Sequence, residues 1–388
     1  MVRIYFDCNA TAPAAPGVVE IVTRLLADDF GNASSVHAYG QRAKAHVDDA
    51  RGEVAVLIDA EPSDVVFTSG GTESDNFALR GAAEALEITG RRHLISTRIE
   101  HEAVLTTLKA LERRGWTVTL LPVGVDGIVG VDALEAAITD DTAVVSVMHA
   151  NNEVGTIQPI AALAAIARAH GALFHTDAVQ SVGKIPVSVR ALDVDLLSLS
   201  AHKFGGPKGA GAIWIRRGVR LTPFMTGGRQ ERNRRAGTEN VPALAGMGVA
   251  ARVAREKLAA GLTAAALRDR LEHGILAAVP GTTLNGDPKL RVPNTTNISF
   301  DGIEAESLLI ALDLEGVAVS TGSACSSGSL EPSHVLKAMG GPHARTRNSL
   351  RFSLGPESTR EQVDFVLGVL PGLVTRLRGL TRTAAALR

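Results

Sequence analysis

Cysteine is nearly absent: Cys8 and Cys325 are the only two in 388 residues. Two thiols cannot build a disulfide framework, so stability rests on a buried core, and this length allows two to three domains. The opening MVRIYFDCNA lacks the apolar stretch of a secretory signal, which points to a cytoplasmic, reducing setting. Charge of either sign is not in excess, with a net charge of −1 and 21% charged residues. That balance gives no field to attract nucleic acid or a membrane surface and leaves small molecules and proteins as expected partners. No apolar run approaches the roughly 20 residues that cross a bilayer, and neither repeats nor low-complexity linkers interrupt the chain.

What the chain does contain is alternation. Between about residue 60 and residue 216, the short apolar runs DVVFTS, RHLIST, TAVVSVMH, ALFHTD, DLLSLS and GAIWIR alternate with helical patterns. Each run is about five residues long with little polar interruption, as parallel strands buried on both faces require. Ala43, Val47, Ala50, Val54 and Leu57 follow a four-three spacing and share one helix face. The expectation is an α/β fold, doubly wound, with ligands beyond the carboxyl ends of the strands. After residue 258 the pattern changes to a smaller α+β unit: the segment NTTNISF, the helix AESLLIALDLEG, the strands VAVST and SLRFSL, and a helix carrying Val363, Val366, Leu370, Leu373 and Leu377. The final TRTAAALR reads as a fraying end.

The residues following the strands carry the chemistry. In VVFTSGGTESDN a strand ends at Ser69, Gly70 and Gly71, and a helix is expected from Thr72 with Asp75 at capping-box spacing. Such a start suits a phosphate, and equally an ordinary capped turn. FHTDAVQSVGK places Asp177 and Gln180 at the same edge, and LSLSAHKFGGPKG adds Ser200, His202 and Lys203. A lone loop lysine is often a solvated charge. A buried amine beside a carboxylate and a phosphate cradle is the set that pyridoxal phosphate needs.

The segments SGGTESDN, IEHEAVL, ANNEVGTIQP, TDAVQSVGK, SLSAHKFGGPKG, RRAGTEN and STGSACSSGSLEPSHVL resemble, in order, those of the pyridoxal-phosphate cysteine desulfurases of the NifS/IscS type, within the class V aminotransferases. The resemblance runs from YFDCNAT to SLRFSLG. It implies the fold of type I pyridoxal-phosphate enzymes, with a large cofactor-binding domain over 13–258 and a small domain made of 1–12 and 259–388. It also implies that Lys203 carries the cofactor, Asp177 protonates its ring nitrogen, Gln180 bonds its ring oxygen and His101 stacks on the ring and moves protons. Gly71, Thr72, Ser200 and His202 would bind the phosphate, with Thr238 donated by the second subunit of a homodimer. Asn152, which would also contact the cofactor, and Arg351 would hold the substrate carboxylate, as two parallel guanidinium donors can.

By the same resemblance Cys325, in a mobile Ser/Gly loop longer than that of the SufS group, takes sulfur from L-cysteine as a persulfide. It delivers that sulfur to an acceptor such as an iron-sulfur scaffold or a thiolation enzyme, serving with such a partner as a transient iron-sulfur ligand. Alanine is released. Departures are few: Ala33 stands where proline is common, Ala12 where a second threonine is common, and Cys8 is read as structural. The basic run RQERNRR is read as a solvated loop at a subunit boundary. A selenocysteine lyase or aminotransferase on the same scaffold, or a cofactor-free sulfur relay, remain open readings.

Overall fold

The computed structural model describes residues 3–261, 264–322, 332–341 and 343–386. Seven strands form the main sheet, in the order Val65–Thr68, Gly211–Ile215, Leu196–Ser200, Leu173–Asp177, Thr142–Ser146, His93–Thr97 and Thr117–Leu121. The six apolar runs are six of these strands. Thr117–Leu121 was not among them, because as the edge strand it is half-exposed and its threonines break the apolar pattern.

One expectation fails. Gly211–Ile215 runs antiparallel to both neighbours. Only residues 201–210 separate it from Leu196–Ser200, too few for the crossover that a parallel neighbour needs. The glycine-rich lysine segment is therefore a hairpin connection. It returns the chain so that Gly211 lies opposite both Thr68 and Ser200.

Helices cover both faces of the sheet. On one side Ala38–Leu57 and Val18–Ala27 pack on Val241–Ala259, and Ala43, Val47, Ala50, Val54 and Leu57 all point into that core as their spacing requires. On the other, Phe77, Leu79 and Ala82 of Gly71–Leu86 meet Val66, Leu94, Val144, Leu196 and Ile213. A separate core gathers Ile298, Phe300, Leu350 and Phe352 of the antiparallel sheet Ser349–Ser353, Thr295–Phe300, Thr282–Asn285. Leu271, Ile275, Val363, Val366 and Leu370 close it, together with Ile4 and Phe6 from the chain start. Strand Thr282–Asn285 escaped the sequence reading, and the residues expected to fray continue the last helix to Ala386. Among the described residues no helix is long and apolar enough to cross a membrane.

Candidate active site

The carboxyl ends of the parallel strands converge on one edge, where the N-terminal segment lies across the lysine hairpin. Ala12 N–H donates to His202 O at 2.8 Å and Ala15 N–H to Gly205 O at 2.8 Å. This lacing brings Asn9 and Ala10 over Lys203, whose Nζ donates to their carbonyls at 2.7 and 3.0 Å. Burial, reinforced by the Arg351 cation, pulls the Lys203 amine down to about 8. An amine so poised is readily freed of its proton near neutral pH.

Asp177 ends the neighbouring strand and is 6% exposed, its Oδ1 accepting from Val179 N–H at 2.9 Å. Burial raises its carboxyl, and His101 and Lys203 oppose that rise. Beneath it Asp75 is held well above the ordinary carboxylate range by burial and by the charge of Asp177. Two buried carboxyls in mutual repulsion do not both ionise readily, so the pair titrates as a unit. Asp75 was expected to cap the helix start. Instead the helix begins at Gly71, and Ser69 N–H donates to Glu73 Oε2 at 2.9 Å, while Asp75 Oδ1 lies buried without a hydrogen bond, 3.7 Å from His175 Nε2. Burial pulls His175 down to about 3, so this imidazole is neutral between Ser146 and Ser198.

The start of Gly71–Leu86 has no side-chain cap, so its first N–H groups are open to an anion. Gly70, at φ 154°, adopts a backbone that favours glycine, and a Cβ on Gly71 would lie 2.8 Å from Val179 Cγ2. The helix start is thus pressed against the turn carrying Asp177 and Gln180. Ser200 is 3% exposed with its Oγ toward Gly70, and Thr72 is exposed on the first turn. His202 is drawn down to about 4 by burial and by Lys203 and Lys208. Neutral, it bonds Thr11 Oγ1 through Nδ1. An uncapped helix start beside a lysine and a buried carboxyl is a donor set that fits pyridoxal phosphate.

His101 caps the next helix, its Nδ1 accepting from Ala103 N–H at 3.1 Å. That bond sets the orientation of the ring and leaves Nε2 on its outer edge. The preceding Glu100 was not anticipated. Burial pushes its carboxyl up to about 8, and it accepts from Thr97 Oγ1 at 2.6 Å and from Met148 N–H, clamping the loop that presents His101.

Arg351 is 4% exposed on the strand Ser349–Ser353. Its Nη1 donates to Asn152 O at 2.9 Å and its Nη2 to Asp7 Oδ1 at 2.5 Å, while its buried Nε has no partner among the described residues. An unpaired guanidinium donor beside the half-buried Asn152 is what an incoming carboxylate would satisfy. Cys325 lies outside the described residues. The flanks of its segment meet at this corner: Ser320 exchanges main-chain hydrogen bonds with Arg351, a Cβ on Gly322 would lie 3.2 Å from Glu153 Cγ, and Ser333 Oγ donates to Glu153. Thr238 is exposed ahead of Val241–Ala259.

RQERNRR is not a solvated loop throughout, since Glu231 is buried in a two-pronged pair with Arg51 at 2.7 Å and Arg235 pairs with Glu73 at 2.8 Å. Cys8 is buried, its thiol pushed up to about 11 by burial. Asn9 and Lys184 also went unnoticed, although both join this network.

Residues 4–366 match the family model described as aminotransferase class-V. Over 378 residues the chain is 49% identical to the cysteine desulfurase IscS of Methanosarcina thermophila, covering 97% of this chain and 93% of that protein. A solved NifS-like protein superposes with a TM-score of 0.91 at 38% identity, covering 97% of this chain and all of that one. A structure titled SspA in complex with cysteine gives 0.81 at 34% identity, over 92% of this chain and 100% of that one.

Proposed function

The chain belongs to the class V aminotransferase family, among its cysteine desulfurases, and from that premise we propose that it converts L-cysteine to L-alanine and passes the sulfur outward through Cys325. One observation carries the reading: Lys203, Asp177 and the uncapped helix start at Gly71 meet at one sheet edge, with Arg351 opposite. Pyridoxal phosphate, when bound, supplies an electron sink that lets the bonds at the substrate Cα and Cβ ionise.

The chain's own groups do the rest. Lys203 holds the cofactor and moves the proton at Cα, its lowered pKa suiting both tasks. Asp177 would keep the ring nitrogen protonated and Gln180 would donate to the ring oxygen, while Gly71, Thr72, Ser200 and His202 would hold the phosphate. His101, whose Nδ1 is engaged by Ala103 N–H, would have Nε2 left to move a proton. Arg351 and Asn152 would fix the substrate carboxylate, and Cys325 would take the β-sulfur. In the transfer the Cβ–Sγ bond breaks and an S–S bond to Cys325 forms. Cysteine and one thiol become alanine and one persulfide, with no external oxidant.

We read the two cores as a large domain over 13–258 and a small one of 1–12 and 259–388. The exposed Thr238 serves the second subunit of a homodimer. A reducing cytoplasm, with an iron-sulfur scaffold or thiolation enzyme as acceptor, completes the proposal. The test is the product: alanine from L-cysteine supports it, whereas the keto acid that retains the sulfur, 3-mercaptopyruvate, would indicate an aminotransferase and faster turnover of selenocysteine a lyase.

Arg351→Lys is expected to raise the KM for L-cysteine about 30-fold, the loss of about 2 kcal/mol that one charge-assisted pair contributes, with kcat changed much less. Steady-state kinetics check this, and an unchanged KM would remove Arg351 from the carboxylate site.

A further inference from the structure

Behind the cleft lies a second lysine that the proposed chemistry does not use. Lys184 lines a cavity of about 280 Å³ shared with Lys203, Cys8, Pro13, Lys257 and Asn294. Its Nζ donates to Asn9 Oδ1 at 2.8 Å and to Gln180 Oε1. Burial, with the cations Lys203 and Arg351 nearby, holds this amine well below the ordinary lysine value. Its N–H groups meet two acceptors, the side-chain oxygens of Asn9 and Gln180.

We infer that Lys184 is a positioning residue for the cofactor cleft: it locks the Gln180 amide with its NH2 on the Lys203 side and holds Asn9 as the acceptor that Gln180 and Lys203 share. Lys184 Nζ donates to the Gln180 oxygen, and the nitrogen end of the same amide is fixed by a main-chain acceptor. The Asn9 carbonyl can only accept, and it receives Gln180 Nε2 at 3.0 Å and Lys203 Nζ at 2.7 Å. One N–H of Gln180 is then committed and the other is left free on the Lys203 side, as a donor to a ring oxygen must be. Asn9 carries the constraint onward. Its Nδ2 donates to Thr295 Oγ1 at 2.9 Å and to Asn152 O at 3.2 Å, and Asn152 O also receives Arg351.

The inference rests on the reading of Lys203 and Gln180 as cofactor-holding residues. Its test uses holoenzyme and two readouts besides turnover: the dissociation constant for pyridoxal phosphate and the pH midpoint of the visible absorbance band. Lys184→Met should weaken cofactor binding about tenfold, as loss of one buried hydrogen bond would, and move the midpoint up by about one pH unit as the ring oxygen loses its donor. Lys184→Arg, which keeps the donors and has the cavity to extend into, should restore both to near wild type. In a Gln180→Ala background Lys184→Met should add less than about twofold, because the two act as one unit.

If Lys184→Met fails to fold, Lys184→Gln carries the test. Glutamine can also accept, so it permits the flipped amide and should weaken binding severalfold. Wild-type values in the methionine or glutamine variant, equal damage from arginine and methionine, or independent effects of positions 180 and 184 would each overturn the inference. A wild-type protein that binds no cofactor would overturn the functional reading and this inference with it, whereas failure of the Lys184 variants in a cofactor-binding protein overturns the inference alone.

Discussion

Lys203→Ala is expected to cut alanine formation from L-cysteine by about 10⁴-fold or more and to abolish the visible absorbance of the purified protein. The size follows from the two tasks assigned to one amine, holding the cofactor and moving the Cα proton. No neighbour is placed to substitute. Lys184 shares the cavity, but its nitrogen is engaged by two side-chain oxygens, whereas Lys203 donates only to main-chain carbonyls. The fold should survive, because Asn9 O keeps its hydrogen bond from Gln180 Nε2 when the lysine is truncated. Amino-acid analysis of the product and a spectrum of the purified variant check the expectation. Turnover within tenfold of wild type would contradict it.

Cys325→Ser should reduce sulfur transfer by about 10³-fold or more while leaving the cofactor's dissociation constant unchanged. A serine hydroxyl does not attack sulfur as a thiolate does, and the groups assigned to the cofactor are other residues. Cys8 cannot replace it. That thiol is buried and pushed up to about 11, so although it borders the cavity beside Lys203 it holds its proton near neutral pH and is a poor nucleophile. Protein-bound sulfane sulfur after incubation with L-cysteine should therefore fall to background in the variant. Persulfide found on Cys8, or undiminished transfer, would remove Cys325 from its assigned role.

Local patterns were legible where a single element decides them. The strand ends that carry Thr68, Asp177 and Ser200 follow from short apolar runs, and the buried face of Ala38–Leu57 follows from its spacing. Strand direction was not, because period and composition are the same for Gly211–Ile215 whichever way it runs. The ten-residue hairpin before it was the available signal. The helix start was misplaced because Glu73, rather than Asp75, reaches Ser69 N–H, which frees Asp75 for the buried group with Asp177 and His175.

Asn9, Lys184 and Glu100 were missed for a different reason. Each acts on the site through contacts across the fold: Asn9 meets Lys203 at a separation of 194 residues and Thr295 at 286. Their residue types alone carry no mark of that. Lys184 was the nearest to being readable, four positions after Gln180 in AVQSVGK.

The whole account depends on which amine carries the cofactor. Borohydride reduction of the purified protein, followed by peptide mass mapping, should place a pyridoxyl group on the peptide containing Lys203 and leave the Lys184 peptide unmodified. Label on Lys184, or on no lysine of a protein that nevertheless makes alanine from L-cysteine, would contradict it.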